Sequence, residues 1–279
     1  MLYSDYLIPW SFHYAYLGHS TMKNLFTQSK PIIAVVYLPP LPGYPDHPGL
    51  FETLELVYQQ VSILEKHQIA GVLLENENDR PYRLLATPEI IASMTYITSK
   101  VVEKFKHIKV GVEYLLNDPK ASLAIAHVSG AQFIRTDYFV DRMSREEYGG
   151  EMYINPVELI NYRMKLSATN LKIFTDIQVK YAKMLDPKKS LSDSAKQARS
   201  HHSSAVVISG NETGIAPDLS ELKKLKENIA DFPILIGSGL NPSNAKQLFR
   251  YADGAIVGTS LMHEGIIIEE KVRALRSSL

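Results

Sequence analysis

Pro233-Ile-Leu-Ile-Gly-Ser-Gly239 and Asp253-Gly-Ala-Ile-Val-Gly-Thr-Ser260 are two short apolar runs that each end in small residues. A helical pattern opening at Asn241-Pro242 separates them. A run of that length with no alternation reads as a strand buried on both faces, which in a parallel sheet is covered by helices. Working back towards the N-terminus, the same unit repeats. Strand-length runs occur at Ile32–Leu38, Gly71–Glu75, Val110–Tyr114, Gln132–Asp137, Lys172–Gln178, Ala205–Ser209, Ile234–Gly237 and Ala255–Gly258. Helical patterns follow them at about 50–67, 88–106, 119–127, 156–168, 191–201, 218–227, 242–251 and 269–278. Thr87-Pro88, Asp118-Pro119, Asn155-Pro156 and Asn241-Pro242 each put a capping side chain before a proline, a helix-start signal.

Eight strand–helix units predict an α/β protein, a single (β/α)8 TIM barrel over residues 30–279. A doubly wound open sheet would carry a glycine fingerprint after its first strand. Here that strand runs into Pro39-Pro-Leu-Pro-Gly43 instead. Residues 1–29 read as a short irregular extension. It carries Tyr3, Tyr6, Trp10, Tyr14 and Tyr16 and has no helix or strand period. Met22 as the true start is the favoured explanation, with an aromatic arm for a partner or membrane surface as the alternative.

Composition narrows the function classes. The chain has 279 residues, 30 Lys+Arg against 30 Asp+Glu, 45% hydrophobic residues and no cysteine. A neutral chain exerts no general pull on a polyanion, so no nucleic-acid partner is expected. Absence of cysteine removes disulfides, thiolate nucleophiles and Cys-ligated zinc. Apolar runs fall far short of the roughly 20 residues that span a bilayer. The expected setting is therefore cytoplasmic, with peripheral membrane association as the further option.

In a barrel of this kind the site lies at the C-terminal ends of the strands. Of the nine histidines, only His47 and His263 fall in top-face loops, so no metal cluster is expected. Glu75, Glu113, Asp137 and Asp176 lie at the ends of strands two to five. Counting at period two places them on the same face as Leu73, Gly111, Arg135 and Phe174, pointing into the mouth. Four acids there must be offset by cations, with Arg135 and Lys180 the nearest. The catalytic set expected is thus Glu113, Arg135, Asp137, Asp176 and Lys180. Glu75, Asp79, Asn117, Gln178 and Ser209 are the expected substrate-binding set, and a divalent cation such as Mg is a candidate cofactor. The alternative is an ion-pair network around Arg135 that only fills the barrel. For Lys180 a salt bridge is favoured over a Schiff base.

The last strands end in Ser209-Gly210, Gly237-Ser-Gly239 and Gly258-Thr-Ser260. Small residues let backbone N–H groups approach an anion, and barrels commonly hold a phosphate between the loops after strands seven and eight. Gly214, Gly237, Ser238, Gly239, Gly258 and Thr259 are therefore the expected phosphate-binding residues. The long polar segment Tyr138–Asn155, with Arg142 and Arg145, is expected to be a lid or a subunit contact of a homo-oligomer.

Val36-Tyr-Leu-Pro-Pro-Leu-Pro-Gly43, Glu75-Asn-Glu-Asn-Asp79, Gly111-Val-Glu-Tyr-Leu-Leu-Asn-Asp118, Phe133-Ile-Arg135 and Asp176-Ile-Gln-Val-Lys180, together with the two glycine-bearing corners, resemble the BtpA/SgcQ family. The resemblance implies a barrel of the ribulose-phosphate-binding kind. It also implies one of two roles: photosystem I biogenesis at a membrane, or sugar metabolism. The sequence departs from the family pattern at Tyr37, Gln178 and Tyr181, where the family has His, and at Glu113 and Asp137, where it has Asn. Asp79, Asn117, Asp118, Arg135, Asp176 and Lys180 match it. The leading expectation is an enzyme that binds a small phosphorylated metabolite, a sugar phosphate or ribose-phosphate derivative. It would act by isomerisation, carbon–carbon cleavage or glycosidic cleavage. The rival is a non-enzymatic biogenesis or assembly factor.

Overall fold

The computed structural model describes residues 22–279. Tyr3, Tyr6, Trp10, Tyr14 and Tyr16, expected in an irregular extension, lie outside the described residues. Eight parallel strands close into a barrel: β1 (Ile32–Tyr37), β2 (Gly71–Glu75), β3 (Lys109–Glu113), β4 (Phe133–Thr136), β5 (Lys172–Asp176), β6 (Ala205–Ile208), β7 (Ile234–Ile236) and β8 (Gly254–Val257). β8 pairs back on β1, with Ile32 opposite Ala255 and Ala34 opposite Val257, so no strand edge is left open. Covering helices are α1 (Leu50–Lys66), α2 (Pro88–Lys104), α3 (Pro119–Ser129), α4 (Pro156–Lys165), α5 (Leu191–Ser200), α6 (Leu219–Ile229), α7 (Ala245–Leu248) and α8 (Glu269–Ser277).

Local chemistry sets several of these boundaries. Asp118 accepts from the Ala121 amide and Asn155 from those of Val157 and Glu158, so two of the four cap–proline pairs act as read. Thr87 makes no side-chain cap bond. Asn241-Pro242 is the correction. Asn241 Oδ1 accepts from the Ser243 amide in a tight turn, and α7 begins only at Ala245 and lasts one turn. The side-chain bond stabilises a turn where the proline alone suggested a helix start.

Inside the ring the side chains form two layers of opposite character. The lower one is aromatic: Phe133 packs against Phe174 at 5.0 Å between centroids and against Phe26 at 6.2 Å. Three rings in one layer leave no room for side chains on β2 and β3, and glycines stand there. A methyl group at Gly111 would lie 2.1 Å from the Phe133 ring, and one at Gly71 would lie 3.2 Å from Phe26. Phe26 belongs to a segment whose turn Met22–Asn24 is tied to Ser204 by the Met22 amide. The barrel floor therefore starts before Lys30, because residues expected in an irregular extension supply its plug.

The segment Tyr138–Asn155, expected as a lid or a subunit contact, has secondary structure of its own. Its short strands Met143–Arg145 and Gly150–Met152 pair antiparallel, and Lys183–Met184 joins them from the next loop to make a three-stranded sheet beside the mouth. A small core of Leu116, Tyr138, Met143, Met152 and Val179 lies beneath it.

Gly111→Ala is expected to cost about 1–3 kcal/mol by overpacking the floor. Its chemical-denaturation midpoint should fall while the m-value holds. An unchanged midpoint would mean that the Phe133 ring has space to move.

Candidate active site

The upper layer of the barrel is charged. Arg135 projects from β4 two residues after Phe133, and its guanidinium takes Asp176 side-on, Nε to Oδ2 at 2.7 Å and Nη2 to Oδ1 at 2.8 Å. Nη1 lies 3.4 Å from Glu75 and 3.5 Å from Glu113. Glu75, Glu113 and Asp176 are all buried. The expected ion-pair network thus exists, and it also forms the floor of a cavity of about 370 Å³ at the C-terminal ends of the strands. That volume is in the small-metabolite range.

Burial weakens a guanidinium's hold on its proton, but here Asp176, Glu113 and Glu75 outweigh it and hold Arg135 charged. One cation does not neutralise the acids around it. Burial pushes Glu113 well above the usual carboxylate range, with the charges of Glu75 and Asp176 adding to the rise. Burial raises Glu75 as well, although Arg135 and a hydrogen bond from Glu113 oppose it. Asp137, which opens partly to the cavity, is raised well above its ordinary value by burial and then by Asp176 and Glu113. Its carboxyl makes no side-chain hydrogen bond among the described residues, and Glu113 Oε2 also lacks one. The floor therefore holds carboxyls at Glu75, Glu113 and Asp137 whose hold on a proton is strengthened, and of these Asp137 is the one partly open to the cavity.

The opposite wall is backbone. Gly237-Ser-Gly-Leu-Asn241 after β7 and Gly258-Thr-Ser260 after β8 both line the cavity, and Thr213 and Gly214 extend this wall from the loop after β6. Several glycines serve packing here. A methyl group at Gly239 would meet the Ala216 amide at 2.1 Å, and one at Gly237 would meet the Ser209 hydroxyl at 2.6 Å. Ser238 Oγ donates to the Ile215 carbonyl, which holds the loop after β6 against the loop after β7. Gly214 has open space beside it. Tyr37, at the end of β1, stands between the two halves: its ring hydroxyl reaches Thr259 and lies beside Gly258, and burial next to Glu75 raises its pKa.

Glu75, Glu113, Arg135, Asp137, Asp176, Lys180, Gly214, Gly237, Ser238, Gly239, Gly258 and Thr259 thus share one cavity. Asp79, Asn117, Gln178 and Ser209 do not line it. Asp79 accepts from the Leu41 amide and from Asn76, fastening the proline-rich loop after β1. Gln178 turns outward, its amide group donating to the Lys189 carbonyl and lying 3.4 Å from Ser194 Oγ. The strand ends at Asp176, so the period-two count fails beyond it, and Gln178 itself has a positive φ. Ser209 Oγ is buried behind Gly237. Lys180 lines the cavity but makes none of the expected salt bridges among the described residues; its ammonium lies 6.0 Å from the centre of the Tyr181 ring, and its charge acts on Glu75 and Asp137. Among those residues no group of three or more His, Asp or Glu is placed to hold a metal ion.

Sequence reasoning did not place Arg80, Tyr82, Arg145 or Tyr181 in the wall, where the structure puts them. Gly149-Gly150 between Met143-Ser-Arg145 and Glu151-Met152 was a hairpin signal that could have placed Arg145.

A model of the BtpA family matches residues 28–278. A protein from Archaeoglobus fulgidus is 34% identical over 247 residues, covering 88% of this chain and 97% of that protein. The photosystem I biogenesis protein BtpA of Synechocystis is 31% identical over 246 residues, covering 88% and 84%. Among solved structures, (S)-3-O-geranylgeranylglyceryl phosphate synthase from Thermoplasma acidophilum, in complex with its substrate sn-glycerol-1-phosphate, superposes with a TM-score of 0.59. It is 16% identical and covers 90% of this chain and 93% of its own, a likeness of fold. No helix among the described residues is long and apolar enough to cross a membrane.

Two outcomes follow from the electrostatics. Arg135→Met, which strands the buried acids without their cation, should lower stability by about 3–5 kcal/mol. For pH, raised acids mean that above about pH 4.5 the folded protein keeps protons the unfolded chain releases. Stability should therefore fall as pH rises, with each retained proton adding a slope of up to about 1.4 kcal/mol per pH unit. Glu113→Gln should flatten that fall in urea titrations between pH 5 and 8, and a wild-type profile already flat would contradict the assignment.

Proposed function

The chain belongs to the BtpA family, and on the chemistry of its cavity we propose that it binds a small phosphorylated metabolite, a sugar-phosphate or ribose-phosphate derivative, and transforms it by proton transfer. One observation carries this reading: a proton-retaining carboxyl with no hydrogen-bond partner, Asp137, faces a wall of small residues and backbone at the ends of β7 and β8 across a single cavity. The phosphate would lie against Gly239, Gly258 and Thr259, where small side chains leave the backbone accessible. The named substrate of the Thermoplasma synthase, a glycerol phosphate on the same fold, supports this end of the site.

At the other end Asp137 is the acid–base group. Held above the ordinary carboxylate range, it can donate its proton to a carbonyl or leaving oxygen and recover one from the adjacent carbon or from water. Glu113, which shares a hydrogen bond with Glu75, is the second proton store. Arg135 is a positioning residue: it keeps Asp176 ion-paired and sets how many of the other acids stay protonated. Nothing in this reading requires the histidines of the family pattern, because a carboxyl displaced upward by burial can serve as the acid–base group. A biogenesis role is the second reading, favoured by the name of the Synechocystis relative.

Thermal-shift screening with phosphorylated sugars and nucleotides separates the two. A ligand at about 100 times its dissociation constant adds about 2.7 kcal/mol of stability, a shift of several degrees for a chain of this size. With the ligand that scores, Asp137→Asn should lower kcat by about 10²–10⁴ and leave the thermal shift in place. A panel that shifts nothing would favour the biogenesis reading.

A further inference from the structure

Two cations of the mouth stand outside the ion pairs of the acid floor, although the charge of Lys180 acts on Glu75 and Asp137. Arg145 sits on the strand Met143–Arg145 in the segment after β4, and Lys180 in the segment after β5. Both line the cavity. Neither is an ion-pair partner of Glu75, Glu113, Asp137 or Asp176 among the described residues; that place is taken by Arg135. Arg145 is paired instead with Glu147, Nη2 to Oε1 at 2.7 Å, and stacks 4.7 Å from the centre of the Tyr148 ring. Its own side chain is 14% exposed whereas that of Glu147 is 53% exposed, so the carboxylate partner is free to swing into solvent while the guanidinium stays in the wall.

Position completes the case. In the closed ring β4 stands diametrically across from β8, whose end forms part of the proposed phosphate wall. Tyr181, next to Lys180, accepts from the Thr213 amide at 2.8 Å, tying the segment that carries the lysine to the neighbouring loop after β6. Arg80 also lines the cavity, but its guanidinium is committed to the Glu77 side chain and carbonyl and to the Tyr82 ring.

We infer that the metabolite carries a second anionic group, held by Arg145 and Lys180 across the mouth from the first. This deepens the preceding proposal and rests on it. The substrate class is then a sugar bisphosphate, or a sugar phosphate bearing a carboxylate. A planar fork and a mobile ammonium suit either anion, and the hydroxylated middle of such a molecule would lie over Asp137. In binding, the ligand's anion replaces Glu147 on Arg145, one charge-assisted bond exchanged for another in a less solvated place.

Calorimetric titration of the full chain with matched pairs tests this. The probes are ribulose 5-phosphate against ribulose 1,5-bisphosphate, and fructose 6-phosphate against both fructose 1,6-bisphosphate and 6-phosphogluconate. At least one probe with two anionic groups should bind about tenfold or more tightly than its counterpart with one. Arg145→Met and, independently, Lys180→Met should each reduce that advantage towards the monophosphate level, weakening the probe with two anionic groups more than the monophosphate. Melting curves without ligand establish that each variant is folded. Preference for the bisphosphate over the phosphocarboxylate, or the reverse, identifies the second anion. Equal binding of single and double anions, or equal loss of both in the variants, overturns the inference and leaves phosphate binding standing. No binding by any probe overturns both.

Discussion

A single guanidinium among four acids is the constraint around which the mouth of this barrel is organised. Arg135 is the residue for that place because its planar fork takes Asp176 through two parallel bonds and still has Nη1 within ion-pair distance of Glu75 and Glu113. A lysine would offer one point charge to the same acids. Burial first, and then the charges of neighbouring acids that one guanidinium does not cancel, raise the pKa of these carboxyls. Glu113 and Asp137 are raised furthest, and these are also the carboxyls with oxygens left unbonded. Proton retention in the mouth is thus a consequence of charge count and burial.

The layer below makes this electrostatics possible. Phe26, Phe133 and Phe174 close the floor, and the glycines on β2 and β3 exist to admit those rings. The charged network thus has aromatic rings below it and the cavity above. The loops then grade the mouth from acid floor to backbone wall. The small sheet built from Met143–Arg145, Gly150–Met152 and Lys183–Met184 forms the Arg145 side of the rim. Asp141 anchors this rim to α5: it accepts from Ser194 and from the Gln178 amide, and Lys189 pairs with it.

Much of this was legible along the chain. Every barrel strand lay within a residue or two of its apolar run, because a strand buried on both faces must be nearly all apolar. Period-two counting from Leu73, Gly111, Phe133 and Phe174 placed the charged layer correctly as far as Asp176. Beyond that residue the chain leaves the strand, the alternation ends, and Gln178 points away from the mouth. Glycine was the more ambiguous letter. Gly239 looked like a phosphate contact, and the structure shows it also letting the Ile215–Ala216 backbone cross above it. A residue without a side chain carries no sign of which neighbour needs the space.

The sequence by itself determined the ring: eight repeats of apolar run and amphipathic helix, with acids and one arginine at the ends of adjacent strands. These are local properties, set by periodicity and by residue chemistry within a few positions. Only the tertiary structure decided which of those groups meet. Asp79 and Gln178 were drawn into fastening loops, the hairpin that carries Arg145 was joined at the rim by Lys183–Met184, and Phe26 was placed beneath Phe133. Such contacts join residues far apart in the chain, and their geometry depends on closure of the barrel, which no stretch of sequence contains.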